Sequence, residues 1–139
     1  MAAADDYMGG ASQSSIASIE AENSRVLRVT AKVAQGHAFP YAGAMWFAGA
    51  VPMQPIDHSA LTRLVLKLDG PPGEYQALLF SGESQNVPPA RVAIEAGRLT
   101  TIQLDSVGGL DLERLRAVGV FASGQPRELE FNLVEARLE

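Results

Sequence analysis

The sequence predicts an all-β chain, an antiparallel β-sandwich or jelly roll with one short helical turn. Three observations carry that expectation. The dominant hydrophobic period is two rather than 3.6, the signature of half-buried strands. Short apolar segments are separated by turns rich in Gly and Pro. No segment carries a helical stripe long enough to cover a parallel sheet, so two antiparallel sheets must cover each other.

Taken in order, Ser14 to Ala21 alternates loosely, and the turn-like Glu22-Asn23-Ser24 leads into the β-branched run from Arg25 to Ala34. Together they read as a hairpin. Ala42 to Ala48 is a third strand, bounded by Pro40 and by the stretch from Gly49 to Pro55. Arg63 to Leu68 alternates cleanly, with Leu64, Leu66 and Leu68 on one face and Arg63, Val65 and Lys67 on the other. The turn at Asp69-Gly70-Pro71-Pro72-Gly73 leads into Tyr75 to Ser81. Ala90 to Ala96 turns Val92 and Ile94 inward, and Leu99 to Asp105 places Ile102 and Leu104 on one face. Asp111 to Arg116 breaks the pattern: an N-cap candidate precedes Leu112 and Leu115, giving a single helical turn. Ala117 to Ala122 and Arg127 to Arg137 close the chain, the latter with Leu129, Phe131 and Leu133 inward and Glu128, Glu130 and Asn132 outward.

At 139 residues the chain makes one domain, residues 1–139, burying about two-thirds of the surface its unfolded form exposes. The absence of cysteine excludes disulfides, thiolate metal sites and cysteine nucleophiles. Eleven basic residues against sixteen acidic ones leave a net charge of −5. With no basic run, nucleic acid is a poor partner. No apolar stretch approaches the roughly 18 residues a membrane helix needs. The N-terminus lacks the basic and apolar regions of a signal peptide. Leu138-Glu139 reads as a cloning junction, and the chain as a domain excised from the C-terminal part of a larger protein.

No catalytic constellation emerges. His37 and His58 lack a second nitrogen ligand at metal spacing. Nucleophile-elbow and phosphate-loop patterns are missing. Hence no catalytic residue, metal ligand or cofactor is assigned. Asp5, Asp6, Asp57, Asp69 and Asp105 lie at strand ends or in loops, where turn formation accounts for them; any calcium they held would be structural.

Binding residues are more promising. Sugars are held by flat aromatic faces together with amides, carboxylates and arginines. Phe39, Tyr41, Trp46 and Phe47 cluster within nine positions. Tyr41, beside Pro40, is the exposed one by position. Trp46 shares parity with Ala42 and Ala44, whose small side chains either make room for it in the core or leave an open shelf; the core placement carries slightly more weight. Gln76, Arg91 and Gln103 fall on three consecutive strands at outward positions. Tyr41, Trp46, Gln76 and Arg91 are the candidate ligand contacts.

The segment Asp5-Asp6-Tyr7-Met8-Gly9-Gly10-Ala11-Ser12 resembles the opening signature of the complex-I-intermediate-associated protein family. Pro40-Tyr41-Ala42-Gly43 and Ile56-Asp57-His58-Ser59 are similar to further steps of that family, with His58 in place of its Leu. Asn132 to Leu138 resembles its closing strand, although only Glu135 keeps one of the paired acids. The resemblance implies a galactose-binding-like jelly roll related to family-11 carbohydrate-binding modules. The stretch from Pro55 to Gly82 is most similar to bacterial members appended to metal-dependent amidohydrolases.

The resemblance further implies a noncatalytic accessory domain that binds carbohydrate, or another polar polymer, on a concave face. The alternative is a protein-docking module set on the parent enzyme domain, or an assembly factor of the complex-I kind, in either case with no small-molecule ligand.

Overall fold

The computed structural model describes residues 2–4, 13–21, 24–34, 41–84, 87–124 and 127–139, with backbone alone at 2–4, 13–21, 24–26 and 41. Among these residues ten strands form two antiparallel sheets. The first has the order β1-β4-β9-β6-β7. Its strands are β1 (Ala2–Ala4), β4 (Tyr41–Phe47), β9 (Leu115–Ser123), β6 (Tyr75–Ser81) and β7 (Ala90–Ile94). The second runs β2-β3-β10-β5-β8. It comprises β2 (Gln13–Ala21), β3 (Ser24–Val33), β10 (Arg127–Leu138), β5 (Arg63–Asp69) and β8 (Leu99–Gln103). Only β2–β3 and β6–β7 are sequence-adjacent strands that also pair in one sheet. Every other connection crosses to the opposite sheet, which is the jelly-roll form of a sandwich.

Alternation fills the space between the sheets as the pattern demands. Leu64, Leu66 and Leu68 of β5 and Leu129, Phe131 and Leu133 of β10 face Ala42, Ala44, Tyr75, Ala77, Leu79, Val118 and Val120 across the core. The two sheets are joined at one end by an edge-to-face pair, Tyr75 against Phe131, with ring centroids 5.4 Å apart and planes at 77°. The Tyr75 hydroxyl donates to Pro71 O at 2.7 Å. Arg127 lies over its ring at 5.1 Å and donates to the carbonyls of Pro72 and Glu74. Val65 departs from the simple alternation: it points away from the core yet is buried, in register with Thr101 and Arg137.

Three local expectations change. The helical turn is a 3₁₀ turn over Leu112–Arg114, capped by Asp111, whose carboxylate accepts from Glu113 N at 3.1 Å. Leu115 and Arg116 instead begin β9, because Leu115 exchanges two backbone hydrogen bonds with Ile56. The strand read to Asp105 stops at Gln103 and passes into a second 3₁₀ turn, Leu104–Ser106. The short β1 is an addition, since Ala2–Ala4 carries no alternating apolar signal. The Met-Gly-Gly segment lies outside the described residues.

A second, smaller apolar cluster sits on the outer face of the first sheet: Met45, Leu78, Ala117 and Phe121, with Phe47, Met53 and Phe80 against them. Met53 belongs to the connection between β4 and β5, which is tied to β9 and to the 3₁₀ turn before it. Ala48 N donates to Arg116 O at 3.0 Å, and His58 N to Leu112 O at 2.8 Å. The buried Arg116 donates from Nε to Met53 O at 2.9 Å, where Met53 adopts φ +60. His58 uses Nε2 to donate to Ala48 O at 3.0 Å, closing the connection on itself. His58 is therefore structural.

Candidate functional site

Register on the first sheet lines up its outer face in three rows. Gly43, Phe121, Gln76 and Ala93 form one; Met45, Gly119, Leu78 and Arg91 the next; Phe47, Ala117 and Phe80 the third. The glycines shape this floor. A Cβ on Gly119 would collide with the Phe121 ring, so the ring lies flat across the β9 backbone. A Cβ on Gly43 would meet the backbone of Val120 and Phe121. The result is a low apolar floor with two half-buried rings, Phe47 and Phe80.

Hydrogen-bonding groups gather at one end. Gln76 Nε2 donates to Glu74 Oε1 at 3.1 Å, and Ser123 N donates to Glu74 O at 3.0 Å. The Glu74 carboxylate lies against Gly124. Ser123, 1% exposed, has a buried hydroxyl with no hydrogen-bond partner among the described residues. Such a group costs about 1–3 kcal/mol, so it calls for an explanation. Arg91 stands exposed on the edge strand, diagonal to Gln76 across the β6–β7 pair.

The four predicted contacts are brought together only in part. Gln76 and Arg91 share this face. Gln76, expected to be solvated, is only 8% exposed, because the outer face carries its own apolar layer. Tyr41 is in register with Ser123, next to the polar end, but its side chain falls outside the described residues. Trp46 keeps the inward parity of Ala42 and Ala44, yet is 37% exposed rather than core, since it sits at the penultimate position of β4. Trp46 and Arg91 lie on strands three places apart, roughly 14 Å at about 4.8 Å per strand, and on opposite faces. Gln103 is separated altogether: β8 joins the second sheet, because the turn through Gly97 (φ +82) crosses over and its N–H bonds to Leu68 O. Ser123 and Glu74 were not singled out from sequence; the outward parity of β9 was the available signal.

Among the described residues the aspartates do not converge, and Asp5 and Asp6 lie outside them. Asp57 accepts from Ser59 N at 2.9 Å, and bonding from Ser59 holds its carboxyl below the usual range. Asp69 ends β5, and Asp105 lies in the 3₁₀ turn. Among the described residues no three His, Cys, Asp or Glu are grouped to hold a metal ion.

No protein-family model matches the sequence, and no curated protein matches it. Solved structures do match in three dimensions. A family 11 carbohydrate-binding module from Clostridium thermocellum, solved with a β-1,3-1,4-mixed-linked tetrasaccharide, superposes with a TM-score of 0.73 at 12% identity, covering 99% of this chain and 86% of that one. The family 30 module of the cellulosomal cellulase Cel9D-Cel44B of Clostridium thermocellum gives 0.60 at 11%, covering 90% and 82%. An exo-β-agarase gives 0.60 at 14%, covering 92% of this chain but 23% of that one. At these identities the likeness establishes a shared fold, the β-sandwich of carbohydrate-binding modules.

Proposed function

We propose that the chain is a noncatalytic accessory domain that binds carbohydrate on the outer face of its first sheet. One observation carries the reading: the half-buried rings of Phe47 and Phe80 lie on an apolar floor bordered by the Gln76 amide, which Glu74 holds, and by Arg91 on the edge strand. Apolar floors take the C–H faces of sugars, and a few fixed polar groups at one end orient the hydroxyls. Arg91 supplies a further donor at the edge. The fold it shares with carbohydrate-binding modules supports this use. The agarase supports an accessory place, since the matching part is under a quarter of that protein. The resemblance of the stretch from Pro55 to Gly82 suggests a bacterial parent enzyme of the amidohydrolase type.

Affinity electrophoresis through gels holding neutral polysaccharides tests the proposal. The domain should be retarded, and Phe80→Ala should run unretarded while keeping its fold. Equal mobility in gels with and without every polysaccharide would refute it. A second reading, docking onto the parent enzyme, is favoured by Trp46 and Val51, exposed at and just beyond the end of β4. In that case a purified parent domain, not a glycan, would retard the chain.

A further inference from the structure

The second sheet carries a groove of its own. It has a volume of about 300 Å³ and is lined by Arg28, Asp69, Gly70, Glu130, Phe131 and Asn132. That volume stands at the lower bound of small-molecule sites, about 300–1,000 Å³. The groove crosses three adjacent strands, β3, β10 and β5, where register sets Arg28 opposite Asn132 and Asn132 opposite Asp69. Gly70, just past the end of β5, packs tightly on the core at one end of the groove, since a Cβ there would press on Phe131 and the Tyr75 hydroxyl.

Its polar groups are partly held and partly unused. Arg28 Nε donates to Asn132 Oδ1 at 3.2 Å and lies 3.9 Å from Glu130 Oε2. Both contacts use Nε; neither terminal nitrogen has a partner among the described residues. The Asp69 carboxylate likewise has no hydrogen bond or ion pair among them. Arg28 and Asp69 flank Asn132 from either side, two strand spacings or about 10 Å apart along the backbone. A donor fork on one side of Asn132 and a carboxylate on the other can bond separate hydroxyls of one saccharide, each of which both donates and accepts. One guanidinium against two carboxylates leaves the groove net negative, which disfavours an anionic chain.

We infer that this groove is a second saccharide site, on the face opposite the first, for an uncharged ligand rich in hydroxyls. The domain would then be two-faced, able to hold two polymer chains or two parts of one. This goes beyond the function proposed above and rests on different residues.

The test is a titration of the isotope-labelled chain, at low salt, with cellotetraose and with an oligogalacturonide of equal length, followed by amide shifts. Saturable shifts at Arg28, Asp69, Gly70 and Asn132 with cellotetraose are expected, with at least tenfold weaker binding there in Asp69→Ala. Arg91→Ala should leave this site unchanged. The inference is overturned if these amides stay still at millimolar cellotetraose, or if the uronide binds as tightly. It is also overturned if Asp69→Ala changes nothing. Shifts confined to β6 and β9 would sink this site and keep the first; shifts confined to the groove would do the reverse.

Discussion

The Phe121 ring lies across Gly119, two residues earlier on the same strand, and the bare α-carbon of Gly119 is what admits it. This pairing gives the outer face of the first sheet its flat floor, with Phe121 fully buried although it points away from the main core. A methyl group at position 119 has nowhere to go without displacing the ring.

Gly119→Ala is therefore expected to destabilise the fold by about 1–3 kcal/mol, the usual cost of overpacking. Chemical denaturation reads this directly. Gly97→Ala, where nothing lies within 4 Å but φ is positive, tests the contrasting cause of loss, backbone strain. Its loss should be independent of Phe121, whereas Phe121→Leu should relieve part of the Gly119→Ala loss.

Ser123→Ala separates ligand binding from stability. Removing a buried hydroxyl that has no partner among the described residues should raise stability by about 1 kcal/mol. If that hydroxyl serves a sugar, the same variant binds glycan more weakly while melting higher. A variant that melts higher and binds unchanged would make Ser123 irrelevant to the site.

The Tyr75–Phe131 pair predicts a pH dependence. Burial raises the Tyr75 phenol above its ordinary value near 10, and this outweighs the lowering by Arg127. With the folded value raised, the neutral phenol is favoured in the fold. Its contribution is full below about pH 10 and is lost as pH rises through the folded value. Tyr75→Phe should flatten the decline in melting temperature above pH 10. An unchanged slope would mean that another group carries it. Phe131→Ala, which opens a cavity between the sheets, should cost about 3–5 kcal/mol.

Much of this fold was legible because one-sided burial writes itself into alternation: Leu64, Leu66 and Leu68 and Leu129, Phe131 and Leu133 all face the core as read. The site was legible only in part. Gln76 reads as a solvated outward residue, but it pairs with the buried Phe121 of β9 on a face that carries its own apolar residues, a neighbour that only the strand order supplies. Trp46 obeys its parity, yet parity does not say where a strand reaches the rim. Gln103 follows Gln76 and Arg91 in strand order, but the crossover at Gly97 sends it to the other sheet. The groove at Arg28 and Asp69 joins residues far apart in sequence, so only the register of β10 between β3 and β5 reveals it.

Carbohydrate binding by the outer face of the first sheet is tested most directly by amide shifts during titration with soluble β-glucan oligosaccharides. Saturable shifts clustered at Gln76, Phe80, Arg91 and Ser123 are expected, weakened by Arg91→Ala without change in melting temperature. Millimolar oligosaccharide that leaves these amides unmoved, while the purified parent domain shifts them, would contradict it.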